Sequence, residues 1–313
     1  MKKILIATTA LVATAGVAAA DVNLSGYARF GAVYDDASED FNVASRLRLQ
    51  FDATTQTDGG LTLGARIRMQ SEEDGAGTRA DGGNWSTARF FGSYGGVTVA
   101  MGNILGVIEA APNLYLPTKS AGMGLEGNGF SALAANTVSN GAVFGWTAFQ
   151  SAGSLNSTFG AANNGVEILY SGNGIGLHAH STEDSFGLGA NYSFGDYVIA
   201  AAYEEFDCGA EILFVSACGK WGAFDAALSY ADTKNNAGLS AEKWSLRGGY
   251  TVNDALYVYG FVADENNGIS EVYGLGASYA LGGGASIEAG WSQNRDAAND
   301  STNLVSAGIF FSF

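Results

Sequence analysis

The chain has 313 residues, among them 45 glycines, two prolines and 12% aromatics, and its 31 Asp and Glu outnumber 15 Lys and Arg for a net charge of −16. That balance argues against a nucleic-acid partner. Plentiful apolar residues without a Gly-X-Y period exclude collagen-like and disordered chains.

The first twenty residues read as a secretory signal. Lys2 and Lys3 precede an apolar run from Ile4 to Val17, and Ala18, Ala19 and Ala20 form a small-residue cleavage site. The mature domain is expected to be residues 21–313, beginning at Asp21, and the loss of Lys2 and Lys3 takes the net charge from −16 to −18. No later stretch holds 18 consecutive apolar residues, so a membrane-embedded form of this chain is not helical.

From there the chain keeps a two-residue rhythm, broken by Gly-rich turns. In order, the alternating segments are 22–34, 42–53, 60–71, 84–94 and 97–103, then 141–150, 165–172, 175–182, 185–194, 196–206 and 210–220. They continue at 222–232, 241–252, 254–264, 270–281, 284–294 and 302–313. Many strands with glycine turns suggest a sandwich or a barrel. Bacterial outer-membrane barrels use an even number of strands, with short periplasmic turns and longer external loops. Omitting 141–150 leaves tight turns at Gly95-Gly96, Asn173-Gly174, Gly195-Asp196, Gly222, Asn253-Asp254 and Gly282-Gly283-Gly284. The expected fold is therefore an all-β, 16-stranded antiparallel transmembrane barrel. Both prolines, Pro112 and Pro117, fall in the one long irregular segment, about 103–164, which becomes the third external loop.

Face assignment agrees with a barrel in lipid. Val305, Ala307, Ile309, Phe311 and Phe313 share one face of the last strand, and Phe186, Leu188, Ala190, Tyr192 and Phe194 repeat the pattern. Tyr and Phe gather at segment ends, where interfacial girdles lie. A water-soluble barrel burying the same faces is the competing arrangement, but it would leave Gly, Ser, Asn and Arg faces to account for.

Six arginines concentrate early in the mature chain: Arg29, Arg46, Arg48, Arg66, Arg68 and Arg89. Alternation sets them on one face, opposite Val43, Leu47, Leu49, Leu63, Ala65 and Ile67. Arginine facing lipid at the midplane costs about 2–4 kcal/mol, so this face is the interior. The long loop supplies Glu109 and Glu126, and Asp225 and Glu288 are further acids. A basic wall opposite loop carboxylates makes a transverse field across a pore constriction. Because Glu109 and Glu126 are nearly the loop's only acids, the loop is expected to restrict mainly by bulk, with charge coming chiefly from the wall.

The runs SGYARFGAVY, SRLRLQFDATTQTDGGLTLGARIRMQ, SYGGVTVAMGN and YGLGASYALGGGASI, with the terminal Phe313, resemble the general porins of photosynthetic alphaproteobacteria. The resemblance covers nearly all the mature chain. It implies a trimeric outer-membrane barrel with the third loop folded into each pore, a channel for small hydrophilic solutes and ions, and a C-terminal aromatic read by the outer-membrane insertion machinery. Calcium sites known in such porins would fall in external loops; otherwise no cofactor is implied.

Other chemistry is weakly signalled. His178 and His180 share a face, but two ligands rarely define a metal site. Asp35, Asp36, Glu39, Asp40, Glu72, Glu73 and Asp74 read as solvated loop acids, or as divalent-cation bridges to lipopolysaccharide. Cys208 and Cys218 flank an extended segment, which favours unpaired thiols over a short disulfide. The reading is a general diffusion porin that catalyses no reaction. A substrate-specific channel is the alternative, and a lipid-hydrolysing outer-membrane enzyme a more distant one.

Overall fold

The computed structural model describes residues 20–73, 83–114, 164–207, 209–234, 238, 240–265, 272–295 and 301–313. Among them sixteen strands close one antiparallel barrel. They are β1 (Asp21–Asp35), β2 (Asp40–Gln56), β3 (Thr62–Glu73), β4 in two pieces (Asn84–Trp85 and Arg89–Tyr94), β5 (Val97–Asn103), β6 (Asn164–Gly172), β7 (Ile175–Thr182) and β8 (Ser185–Phe194). The second half comprises β9 (Tyr197–Phe206), β10 (Glu211–Trp221), β11 (Phe224–Lys234), β12 (Ser240–Thr251), β13 (Leu256–Glu265), β14 (Val272–Gly282), β15 (Ala285–Arg295) and β16 (Ser301–Ser312). Both pieces of β4 pair with β3, so they are one barrel strand with an interrupted ladder. Of the expected elements, 141–150 lies outside the described residues, as do residues 1–19, Glu126 and Cys208.

Closure is made by β1 and β16, where Tyr27 pairs with Ser312 and Asp35 with Leu304. Beyond the last strand residue, Phe313 and Gly26 exchange backbone hydrogen bonds of 2.9 and 3.0 Å. The tight turns fall where glycine spacing places them, with left-handed backbone at Gly95, Gly96, Asn173, Gly174, Gly195, Gly222 and Gly282 to Gly284.

Strand alternation sorts the side chains. Val43, Leu47, Leu188, Phe224, Leu228, Ile287 and Val305 are exposed on the outside, while their sequence neighbours Ala44, Ala227, Ser286, Glu288 and Ser306 are buried. So large an apolar surface is the lipid face of a membrane barrel.

The interior carries something the sequence rhythm does not show. Phe206, Ile212, Phe214, Ala231, Tyr259, Phe261, Ala263 and Val272, from β9 to β14 and their connections, form an apolar cluster inside the barrel. It is covered from the lumen side by Val107, Ile108 and Leu114 of the long loop. Val107 and Ile108 sit in a single turn closed by Ala110 N–H to Gly106 C=O, 3.0 Å, and Ala111 N–H to Ile108 C=O, 2.9 Å. Both side chains are buried on the wall side.

The Cys218 thiol is free and half-buried in β10.

Leu188 sits outward near the middle of β8. We expect Leu188→Arg to lower unfolding free energy in lipid vesicles by about 2–4 kcal/mol. A change below 0.5 kcal/mol would place that face away from hydrocarbon.

Candidate functional site

The registers bring the six arginines together on the inner wall. Arg29 lies directly opposite Arg46, and Tyr27 opposite Arg48. Gln50 opposes Arg68, Asp52 opposes Arg66, and Gln70 opposes Arg48. Arg66 in turn opposes Arg89. Directly opposed like charges destabilise a sheet, and at Arg48, Arg66, Arg68 and Arg89 carboxamides and carboxylates offset this. Arg48 Nε donates to Gln70 Oε1 at 2.5 Å, and its guanidinium lies 5.4 Å from the Tyr27 ring centre. Arg68 Nε donates to Gln50 Oε1 at 2.7 Å, Gln50 Nε2 to Asp52 Oδ2 at 2.6 Å, and Arg66 Nε to Asp52 Oδ1 at 2.6 Å. Arg89 Nε donates to Glu167 Oε1 at 2.6 Å.

Most of the carboxylate partners thus come from the wall. Asp52 and Glu167 carry no signal in the arginine pattern; Asp52 could have been found from its place two positions past Gln50 on the basic face of β2. Of the loop acids, Glu109 is half-buried and acts electrostatically on Arg68, as do Arg48 and Arg66. Asp225 and Glu288 lie elsewhere on the inner wall. Asp225 pairs with Arg247 at 2.5 Å and accepts from the Tyr257 hydroxyl at 3.0 Å, and Glu288 accepts from Ser278 at 2.7 Å and Ser286 at 2.5 Å.

The loop start crosses the inner wall from β5 towards β11 on polar anchors. Leu105 N–H donates to Glu167 Oε2 at 3.3 Å and Val107 N–H to His180 Nδ1 at 3.1 Å. Ser216 Oγ donates to the Pro112 carbonyl at 2.6 Å and Ser229 Oγ to the Asn113 carbonyl at 3.1 Å. Gly187, opposite His180, makes room here, since a Cβ would come within 2.5 Å of the His180 ring and 2.6 Å of the Val107 side chain. The described part of the loop thus covers β6 to β11, and these anchoring contacts among the described residues do not extend over the arginines of β1 to β4.

The histidines serve the loop. His178 Nε2 bonds Glu167 Oε2 at 3.0 Å, and His180 Nε2 lies 3.2 Å from Glu204 Oε1 and 3.3 Å from Ser185 Oγ. Ser185, His180 and Glu204 do not form a hydrolytic triad. Hydroxyl and carboxylate meet the same ring nitrogen, whereas a triad needs them on opposite nitrogens, and all three side chains are buried. Among the described residues no group of three or more His, Cys, Asp or Glu is placed to hold a metal ion. The Asp36 carboxylate, a candidate cation ligand, is taken up by Asn303 through bonds of 2.6 and 2.7 Å.

A closed sixteen-stranded barrel with an apolar outside, a charged lumen and an inward loop defines an outer-membrane channel protein. The chain belongs to the Gram-negative porin family, whose sequence model matches residues 7–301. It is 30% identical over 315 residues to a porin of Fuscovulum blasticum and 29% identical over 323 residues to a porin of Rhodobacter capsulatus, covering 94% of this chain and all of each relative. Solved structures of Rh. blastica porin variants superpose with a TM-score of 0.71 at 28% identity, over 94% of this chain and 100% of theirs. The chain is a general diffusion porin of the outer membrane.

Breaking a buried ion pair costs about 3–5 kcal/mol, and an exposed pair contributes about 0–1 kcal/mol. We therefore expect Glu167→Gln, which unbalances a fully buried carboxylate held by Arg89, to lower urea-unfolding stability in detergent by about 3 kcal/mol. Glu211→Gln, in the half-exposed pair with Lys234, should change it by less than about 1 kcal/mol. Equal effects would refute the burial argument.

Proposed function

We propose that small hydrophilic solutes and ions cross between the loop and the basic wall, and that Arg29, Arg46, Arg48, Arg66, Arg68 and Arg89 with Glu109 and Glu126 set the constriction. The observation that carries this is the one-sidedness of the lumen: the described loop start covers β6 to β11 and leaves the guanidiniums of β1 to β4 facing it. Glu126 lies in the undescribed part of the loop, so its place in the constriction rests on the sequence. The protein works as a channel with no catalysed reaction and no resident cofactor. Calcium at Asp36 is not supported, because Asn303 occupies that carboxylate.

The working unit is a homotrimer. Its support, beyond the family, is an outward row of small residues: Ala277 pairs with Ala289, Ala289 with Ala307, and Ala307 with Ala32. Larger apolar residues flank the row, with Leu275, Trp291 and Val305 on one side and Tyr279, Ile287 and Ile309 on the other. Small residues let two membrane-embedded surfaces approach closely. The signal segment ends before Asp21, and Phe313, which closes the barrel against Gly26, is the residue that the insertion machinery reads.

Planar-bilayer recording tests the constriction. Arg46→Ala combined with Arg66→Ala should shift the reversal potential in a tenfold salt gradient toward cation selectivity by 10 mV or more. An unchanged potential would make those side chains structural only. Saturable block by a single sugar or amino acid would instead mark a substrate-specific channel.

For assembly, Ala289→Trp with Ala307→Trp should convert the trimer to monomer on unheated SDS gels while single-channel conductance per barrel is kept. A retained trimer would move the interface elsewhere.

A further inference from the structure

His180 is fully buried between the wall and the loop, and its two ring nitrogens have different tasks. Nδ1 accepts the Val107 N–H at 3.1 Å, so that nitrogen carries a lone pair and the ring is neutral with its proton on Nε2. Nε2 stands 3.2 Å from Glu204 Oε1 and 3.3 Å from Ser185 Oγ. Glu204 is itself fully buried, and neither of its carboxylate oxygens makes a hydrogen bond. A buried carboxylate without a hydrogen bond or a full counter-charge is costly, and the group nearest to it is one proton short of being a cation.

We propose that His180 and Glu204 form a proton-operated latch on the pore loop. A second proton, taken from solvent onto Nδ1, does two things at once. It turns the ring into an imidazolium that pairs with the Glu204 carboxylate through Nε2–H, and it removes the lone pair that holds Val107. Two N–H groups then point at each other, and the turn of residues 106–111 shifts off the wall into the lumen. Its two ends stay tethered: Leu105 by Glu167, and residues 112 and 113 by Ser216 and Ser229. The bow between them narrows the channel.

The charged groups around the ring are compatible with this. Across on β6, directly opposite His180, Glu167 is already engaged by Arg89, His178 and the Leu105 N–H. On its own strand, the His178 ring lies 6.1 Å away and is bound to Glu167. β8 contributes only Ser185 and Gly187, β9 contributes Glu204, and the loop contributes Glu109 two residues beyond Val107. The latch lies on the wall in this structure, where Nδ1 accepts from Val107, and acidification is the direction that supplies the releasing proton.

The latch rests on the chain forming a pore, and bilayer recording separates the two. Absence of any channel at pH 7.5 would refute the pore. A steady channel at pH 7.5 that turns to frequent closures at pH 4.5, with mean open time falling at least fivefold and recovering on return to pH 7.5, is the result expected of the latch. His180→Asn keeps an acceptor for Val107 but cannot take the proton, and should stay open throughout. Glu204→Gln removes the counter-charge, and the onset of closure should move to lower pH. Wild-type open times that do not change between pH 7.5 and 4.5, or a wild-type pH response in either variant, would overturn the latch. The wild-type recording decides even if a variant fails to assemble.

Discussion

A chain that crosses hydrocarbon must satisfy every backbone N–H and C=O within itself, and closing the sheet is the one way strands can do this. The pairing of β1 with β16 is thus the contact on which the rest depends. Once the sheet is closed, side-chain direction has only two values. Lipid takes one face and cannot accept charge, so all polarity of sixteen strands is driven inward. The arginine cluster follows from this. Residues at alternate positions of β1 to β4 have no other place to go, and cross-strand registry then sets Arg29 against Arg46 and Arg66 against Arg89.

Closure also creates a difficulty, because a barrel this wide cannot be filled by its own side chains. The described start of the loop fills part of one side. Val107, Ile108 and Leu114 pack on an inner apolar patch that includes Ile212, Phe214 and Phe261, all with little or no solvent exposure. The loop's position therefore rests on hydrophobic burial inside the lumen, and the bonds to Glu167, His180, Ser216 and Ser229 fix its register. Glu167 ties this device to the basic wall, since one carboxylate holds Arg89 on one oxygen and His178 and the Leu105 N–H on the other. Any shift of the loop start is felt at the last arginine of the wall.

The strands and their faces were legible in the sequence because a period of two is enforced residue by residue. The parity of a barrel excluded one of seventeen candidate segments, and the described strands agree with the sixteen kept. The arginine face was legible for the same reason. What stayed hidden depends on contacts between distant residues. Leu105 meets Glu167 across 62 positions and Val107 meets His180 across 73, and neither strand advertises a loop anchor. The inner apolar patch was masked differently. In β10 the run Ile212, Leu213, Phe214, Val215 is apolar on both faces, so alternation cannot tell lumen from lipid. His178 and His180 read as ordinary lumen residues, yet they are covered because the loop lies over them.

The net charge of −16 and the basic wall belong to different places. Acids such as Asp35, Asp36, Glu39, Asp40, Glu183, Asp184 and Asp207 lie at loop-side strand ends, exposed or half-exposed. At physiological salt their field decays within about 8 Å. The wall arginines are partly buried, each held by a carboxamide or carboxylate or crowded by its neighbours, and a low-dielectric wall screens them less. The field of the acidic rim is therefore weak and salt-dependent and that of the arginines short-ranged, and the overall charge of the protein does not describe the field inside the lumen.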